Sequence, residues 1–251
     1  MIKKSFLKFD TPPLVSMVQA TSPERICELV DLSRTEGAEA VGMQFCRMKA
    51  EYKSRECYTE LFGYASPLPV YVTNYRDGEN AGKSDQQLAT ELIELADCGA
   101  TLCDVMGDLF APTEGQLTMN EAAVAEQIKL IDTLHALGSE VIMSSHVLKF
   151  TPAERALEIA LEHQRRGADI SKIVTFANNR AEEIENLRII DILKKELKIP
   201  FLFLAGGECK ILRRLGGALG SCMSLCVYEH DALSTKSQPL LCDMKKIRNL
   251  I

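Results

Sequence analysis

Two side chains in the middle of this 251-residue chain, Lys172 and His146, have the types and setting for covalent work on a carbonyl group. Lys172 stands in the apolar run Ile170-Ser171-Lys172-Ile173-Val174, and His146 follows Val141-Ile142-Met143-Ser144-Ser145. An ammonium group is expensive among buried aliphatic side chains, so a lysine held there is pushed toward its nucleophilic free amine. The competing reading is a lysine at a strand end whose stem carries the charge out to water. An imidazole exchanges protons near neutral pH and can serve in turn as base and acid. An amine condensed with a ketone gives an iminium, which accepts the electrons left when the neighbouring carbon loses its proton.

The other histidines and the cysteines offer less. His135 and His163 fall in helical patterns and His230 follows the last apolar run, so each reads as a surface or packing residue. Nine cysteines are an odd number without a Cys-X-X-Cys pair. Cys222, Cys226 and His230 are regularly spaced, yet Cys222-Met223-Ser224-Leu225-Cys226-Val227 reads as a buried strand in which cysteine is a small hydrophobe. We therefore expect neither a metal nor a cofactor.

The elements that must position Lys172 and His146 alternate along the chain. Apolar runs at Leu14–Val18, Ala40–Phe45, Pro69–Tyr75, Thr101–Met106, Val141–Ser144, Ile170–Thr175, Pro200–Leu204 and Ser221–Val227 predict eight strands. Ser22-Pro23-Glu24 starts a helix with apolar positions Ile26, Leu29, Val30 and Leu32. A helix through Leu88, Leu92, Ile93 and Leu95 ends at Cys98-Gly99, and Asn120 caps another that runs to Leu137-Gly138. Thr151-Pro152 opens the helix between His146 and Lys172. The helix from Ala181 to Leu197 shows Ile184, Leu187, Ile190 and Leu193. The stretch between the second and third strands is polar, and 76–82 is a loop by composition. Such alternation predicts a parallel sheet covered by helices, either a closed barrel or an open doubly wound sheet. The missing glycine-rich dinucleotide fingerprint after the first strand argues against the open form.

Composition narrows the function. Hydrophobic content of 46% and charged content of 25% are ordinary for a globular protein. A net charge of -6 leaves no electrostatic footprint for nucleic acid or anionic membrane. No apolar run is long enough to span a bilayer, and Met1 to Asp10 lacks the hydrophobic core of a signal peptide, which predicts a cytoplasmic protein.

Ser144-Ser145-His146, Thr151-Pro152 and Gly167-Ala168-Asp169-Ile170-Ser171-Lys172-Ile173 together resemble the type I 3-dehydroquinate dehydratases, over a stretch from about residue 14 to the C-terminus. The resemblance implies a single (β/α)8 TIM barrel domain over residues 1–251. It implies a homodimeric Schiff-base lyase that converts 3-dehydroquinate to 3-dehydroshikimate by syn elimination, in the shikimate or quinate pathway that leads to aromatic amino acids. Lys172 would then form the imine and His146 would be the acid/base. Glu79 would match the loop glutamate that holds the imidazole, and Arg76 an arginine at the end of the third strand, although their spacing is one residue short. Arg213, or its neighbour Arg214, would grip the substrate carboxylate. Ser234 and Gln238 would come from the lid, where Lys236 and Ser237 replace the usual proline and glycine.

The second strand departs from that family. Where the family carries a glutamate and an arginine for substrate hydroxyls, this chain has Gly42 and Gln44, and Arg47 could substitute only through a bulge. Gln44 then becomes the hydroxyl-binding candidate. Two other readings stay open: a related lyase for another carboxylated cyclic ketone, and a non-catalytic barrel that binds a carboxylated metabolite.

Overall fold

The computed structural model describes residues 3–251, so Met1 and Ile2 of the amino-terminal stretch lie outside the described residues. Strands and helices alternate throughout. They run β1 (Leu14–Val18), α1 (Pro23–Glu36), β2 (Ala40–Gln44), α2 (Arg55–Ala65), β3 (Val70–Thr73), α3 (Asp85–Cys98), β4 (Leu102–Met106) and α4 (Glu121–Ala136). The second half holds β5 (Glu140–His146), α5 (Ala153–Arg165), β6 (Ile170–Phe176), α6 (Arg180–Glu196), β7 (Phe201–Gly206), α7 (Ile211–Leu219), β8 (Ser224–Cys226) and α8 (Leu241–Arg248). The strands are ordered β7-β6-β5-β4-β3-β2-β1-β8 in the sheet. The pairings β1–β2, β2–β3, β3–β4, β5–β6 and β6–β7 are parallel.

The chain divides into two compact units. The first comprises residues up to Asp104 together with Thr133–Glu140 and Leu225–Ile251; the second comprises Val105–Asp132 and Val141–Ser224. In the first unit, Ser22 caps α1 by accepting from the Arg25 amide, and Gly37 closes it at φ +104°, where an L side chain would be strained. Ser84 and Gln87 form a reciprocal capping box on α3. In the second unit, Ala153, Ala156, Ile159 and Ala160 of α5 and Ile189, Ile190 and Leu193 of α6 pack on Ile173, Phe201 and Phe203. Burying each large apolar side chain is worth about 1.5–3 kcal/mol. An exposed ion pair such as Lys195–Asp191 contributes about 0–1 kcal/mol, so packing sets the stability of this unit.

All eight expected strands form, with shifted ends: β3 stops at Thr73 and β7 runs on to Gly206. β5 runs on to His146, and β8 is only three residues long. The polar stretch after β2 contains a helix that its composition hides: Ser54 caps α2, and Tyr58, Leu61, Phe62 and Ala65 form its buried stripe. The expected apolar face of α6 needs correction. Ile184 and Leu187 are 53% and 39% exposed, while Asn186, Ile189, Ile190 and Leu193 are buried. A spacing of strictly three residues drifts around a 3.6-residue helix, and the i, i+3, i+4, i+7 set is the one that faces the core. No helix among the described residues is long and apolar enough to cross a membrane.

Candidate active site

The register of β5, β6 and β7 sets the geometry of the second unit's site. Ser144 pairs with Lys172 and Lys172 with Leu202, while His146 pairs with Val174 and Val174 with Leu204. Residues in register point to the same face, and the face recurs every second residue. Lys172 and His146 therefore share one face, with His146 one pleat, about 6.6 Å, farther toward the C-terminal end. The opposite face carries Ser145, Ser171, Ile173 and Phe203 against α5 and α6. Lys172 is only 4% exposed, so its side chain does not reach bulk solvent as the snorkelling alternative requires.

His146 is half-buried and has a defined partner. Its Nδ1 lies 2.7 Å from Oε1 of Gln116, and its backbone N–H donates to the same oxygen at 3.1 Å. Gln116 belongs to the 107–120 segment between β4 and α4, and this segment is held from beneath by Arg166. That fully buried guanidinium donates to Gly107 O at 2.8 Å and to Gln127 Oε1 at 2.6 Å, and also to Thr118 O, Glu162 and Met119 Sδ. Burial pulls the Arg166 guanidinium below its ordinary range, and the hydrogen bond to Glu162 offsets part of that.

Arg213 and Arg214 separate clearly. Arg213 is 8% exposed on α7 and donates from Nε to Ala205 O at 3.0 Å, whereas Arg214 is exposed. Burial pulls the Arg213 guanidinium down to about 10, and no carboxylate among the described residues is paired with it. A buried cation without a counter-charge is costly and is relieved by an anionic ligand.

In the first unit the sequence candidates sit in neutral or already paired surroundings. Met17, Gly42 and Tyr71 are in register on neighbouring strands and share a face. A Cβ on Gly42 would lie 2.2 Å from Met17 Sδ and 2.7 Å from its Cε, so the methionine occupies the room that a longer side chain would need. Gln44 accepts from Gln19 Nε2. Tyr71 and Tyr75 both donate to Asp104 Oδ2, the latter at 2.6 Å. Burial, and then the Asp104 carboxylate, push the Tyr71 phenol well above its ordinary value, so it stays a donor. Arg47 lies past the end of β2 and pairs with Asp77 at 2.9 Å. Arg76 forms a two-pronged ion pair with Asp85 at 2.7 and 2.8 Å. Glu79 is exposed in the 3₁₀ turn Gly78–Asn80, and its side chain has no hydrogen bond or ion pair among the described residues.

The segment after β8 is tied down in the same unit. Gln19 accepts from the Thr235 amide at 2.8 Å and donates to Thr235 Oγ1 at 3.0 Å, and Asp231 Oδ1 accepts the Ser234 amide at 2.8 Å. Ser234 Oγ donates to Asp231 O at 3.2 Å. Gln238 is buried, and its Oε1 has no hydrogen-bond partner among the described residues. Sequence reading overlooked Gln19, Gln116 and Asp104. No motif spacing links them to the candidates, since 30 residues separate Gln116 from His146 and 216 separate Gln19 from Thr235.

Eight parallel strands alternating with helices place the chain in the (β/α)8 class. Solved structures share that fold. The 3-dehydroquinate dehydratase of Geobacillus kaustophilus matches with a TM-score of 0.82 at 16% identity, covering 97% of this chain and 92% of that one. The type I enzyme of Clostridium difficile, solved with covalently modified comenic acid, matches with a TM-score of 0.80 at 17% identity, covering 97% and 94%. The chain belongs to the type I 3-dehydroquinase family, whose model matches residues 19–251. Among curated relatives, the 3-dehydroquinate dehydratase of Alkaliphilus oremlandii is 34% identical over 92 residues, 36% of each chain. That of Listeria monocytogenes is 24% identical over 129 residues, 51% of this chain and 49% of the relative. The chain thus spans about half or less of the curated relatives it matches.

Proposed function

We propose that the protein is a 3-dehydroquinate dehydratase that works through an imine on Lys172. The observation that carries this reading is a lysine buried to 4% exposure on the same sheet face as His146, one pleat away. The Lys172 amine adds to the substrate ketone and expels its oxygen as water, leaving an iminium. His146 then removes a proton from the α carbon, and the electron pair moves into the carbon–nitrogen system as an enamine. Return of those electrons expels the β-hydroxyl, which leaves as water with the proton that His146 carried. Hydrolysis of the conjugated iminium releases 3-dehydroshikimate and the free lysine. The sum is loss of one water, with no cofactor consumed.

Arg213 holds the substrate carboxylate, an assignment supported by its burial without a carboxylate partner among the described residues. Gln44, Ser234 and Gln238 bind the substrate hydroxyls. The unpartnered Oε1 of Gln238 supports its part in this, because a buried acceptor left unsatisfied costs about 1–3 kcal/mol that a bound hydroxyl would recover. Glu79 and Arg76 take part only by family resemblance. The same resemblance supports a homodimer acting in the cytoplasm within the shikimate or quinate pathway, and light scattering checks the dimer. The deciding experiment is reduction with borohydride in the presence of 3-dehydroquinate, followed by peptide mass mapping. The expected result is a reduced adduct on Lys172. Trapping only with a different carboxylated ketone would overturn the substrate, and no adduct with any ketone would overturn catalysis.

A further inference from the structure

We infer that Gln116 is the positioning residue of His146, fixing its neutral imidazole with the proton on Nδ1 and the lone pair on Nε2. An amide side chain offers an oxygen that only accepts and a nitrogen that only donates. The His146 backbone N–H, 3.1 Å away, can only donate, so the atom facing it is the Gln116 oxygen. That same oxygen is 2.7 Å from Nδ1, which must therefore carry a hydrogen. Nε2 is left as the basic nitrogen. The part this plays in turnover rests on the dehydration reading above, whereas the tautomer itself does not.

The surroundings hold Gln116 in a conformation it would not adopt alone. Its φ is +52°, in the left-handed region that a residue with a side chain seldom occupies. Its carbonyl accepts the Ser145 hydroxyl at 2.6 Å, and its amide closes a turn onto Thr113 O at 3.2 Å. With the Ser145 hydrogen directed at that carbonyl, Ser145 Oγ can only accept from His163 Nε2 at 3.0 Å. In a neutral ring, His163 Nδ1 then accepts from Ser171 Oγ, also at 3.0 Å. Gly107 makes this approach possible, because a Cβ there would sit 2.6 Å from Gln116 O and 2.9 Å from Ser145 Oγ. The resemblance gave the task of holding the imidazole to Glu79. That side chain is exposed without a partner among the described residues, and Gln116 has the contact.

The test uses the full-length protein labelled with 15N-histidine, with the His146 resonances assigned from a His146→Gln variant. Long-range 1H–15N correlation reads which ring nitrogen carries the hydrogen. Wild type should show His146 with its hydrogen on Nδ1 when neutral. Gln116→Met keeps side-chain length and removes the acceptor, so the hydrogen should redistribute toward Nε2. Gln116→Glu restores an acceptor and should return it to Nδ1. With 3-dehydroquinate, kcat should fall about tenfold to a hundredfold in Gln116→Met with KM within about twofold, a share of what acid–base catalysis supplies. Gln116→Glu should recover most of that loss. Circular dichroism identifies a variant that fails to fold, in which case the wild-type tautomer alone decides. A wild-type hydrogen on Nε2, or an unchanged tautomer in folded Gln116→Met, overturns the inference. A tautomer that moves as expected in a protein with no dehydratase activity sinks the activity reading and upholds the assignment of Gln116.

Discussion

The ends of β5 and β6 and the ends of β1 and β2 occupy corresponding places in the repeat but carry opposite kinds of chemistry. The first pair presents ionisable groups: Lys172 and His146 on one face, with a buried Arg213 contributed by α7 in the same unit. The second pair presents neutral ones: a methionine lying over a glycine, and the linked amides of Gln19 and Gln44. Where the family resemblance implies a glutamate and an arginine on the second strand, Met17 lies over Gly42. On the proposed reading, the groups that would make bonds are present while those that would recognise hydroxyls differ from what the family resemblance leads one to expect. A binding site can trade a charge-assisted hydrogen bond for a neutral one and lose a few kcal/mol. An imine cannot form without its amine.

Variants can break or sharpen that contrast, and the largest effect belongs to the charged side. Lys172→Met should abolish both turnover and the borohydride adduct. His146→Ala should lower kcat by about 10²–10⁴-fold while the adduct still forms on Lys172. Equal trapping by Lys172→Met and wild type would remove the basis of the comparison. Next in size is the proposed carboxylate grip. Arg213→Met should raise KM by roughly tenfold to 150-fold, equivalent to losing about 1.5–3 kcal/mol of charge-assisted hydrogen bonding. Arg214→Met should change it less than about twofold, because that side chain is exposed.

The neutral side should answer in stability before rate. Gly42→Glu forces the new side chain against Met17 and buries a carboxyl, and we expect a loss of about 1–3 kcal/mol in chemical denaturation. Met17→Ala combined with Gly42→Glu should regain part of that loss. If the double variant is no better than the single one, Met17 is not what fills the site. The smallest effect is expected at the latch. Gln19→Ala removes two hydrogen bonds to Thr235, each worth about 0.5–1.5 kcal/mol net, and should speed proteolytic cleavage in 231–238 without altering kcat.

Much of this architecture is legible in the sequence, because apolar runs and helix caps act locally. Lys172 stood out because a lysine between Ile170 and Ile173 contradicts its surroundings. The stripe of α2 was hidden by the lysines and glutamates around it, although Tyr58, Leu61, Phe62 and Ala65 have helical spacing. Which of Arg213 and Arg214 is buried needed coordinates, since adjacent residues on a helix differ by about 100° in direction. Gln116 and the Met17–Gly42 contact could not be read at all. Both depend on side chains brought together by pairing of strands or by a loop folding back, and neither leaves a periodic trace.

The hydrogen-bonded line from Ser171 through His163 and Ser145 to Gln116 begins on the helix-covered face of the sheet. α5, packed on that face, is thereby connected through His163 and Ser145 to the segment that contacts the imidazole. If the proposed activity holds, replacements along α5 could retune proton delivery while the opposite sheet face stays untouched, a route to adjust pace without changing what is accepted.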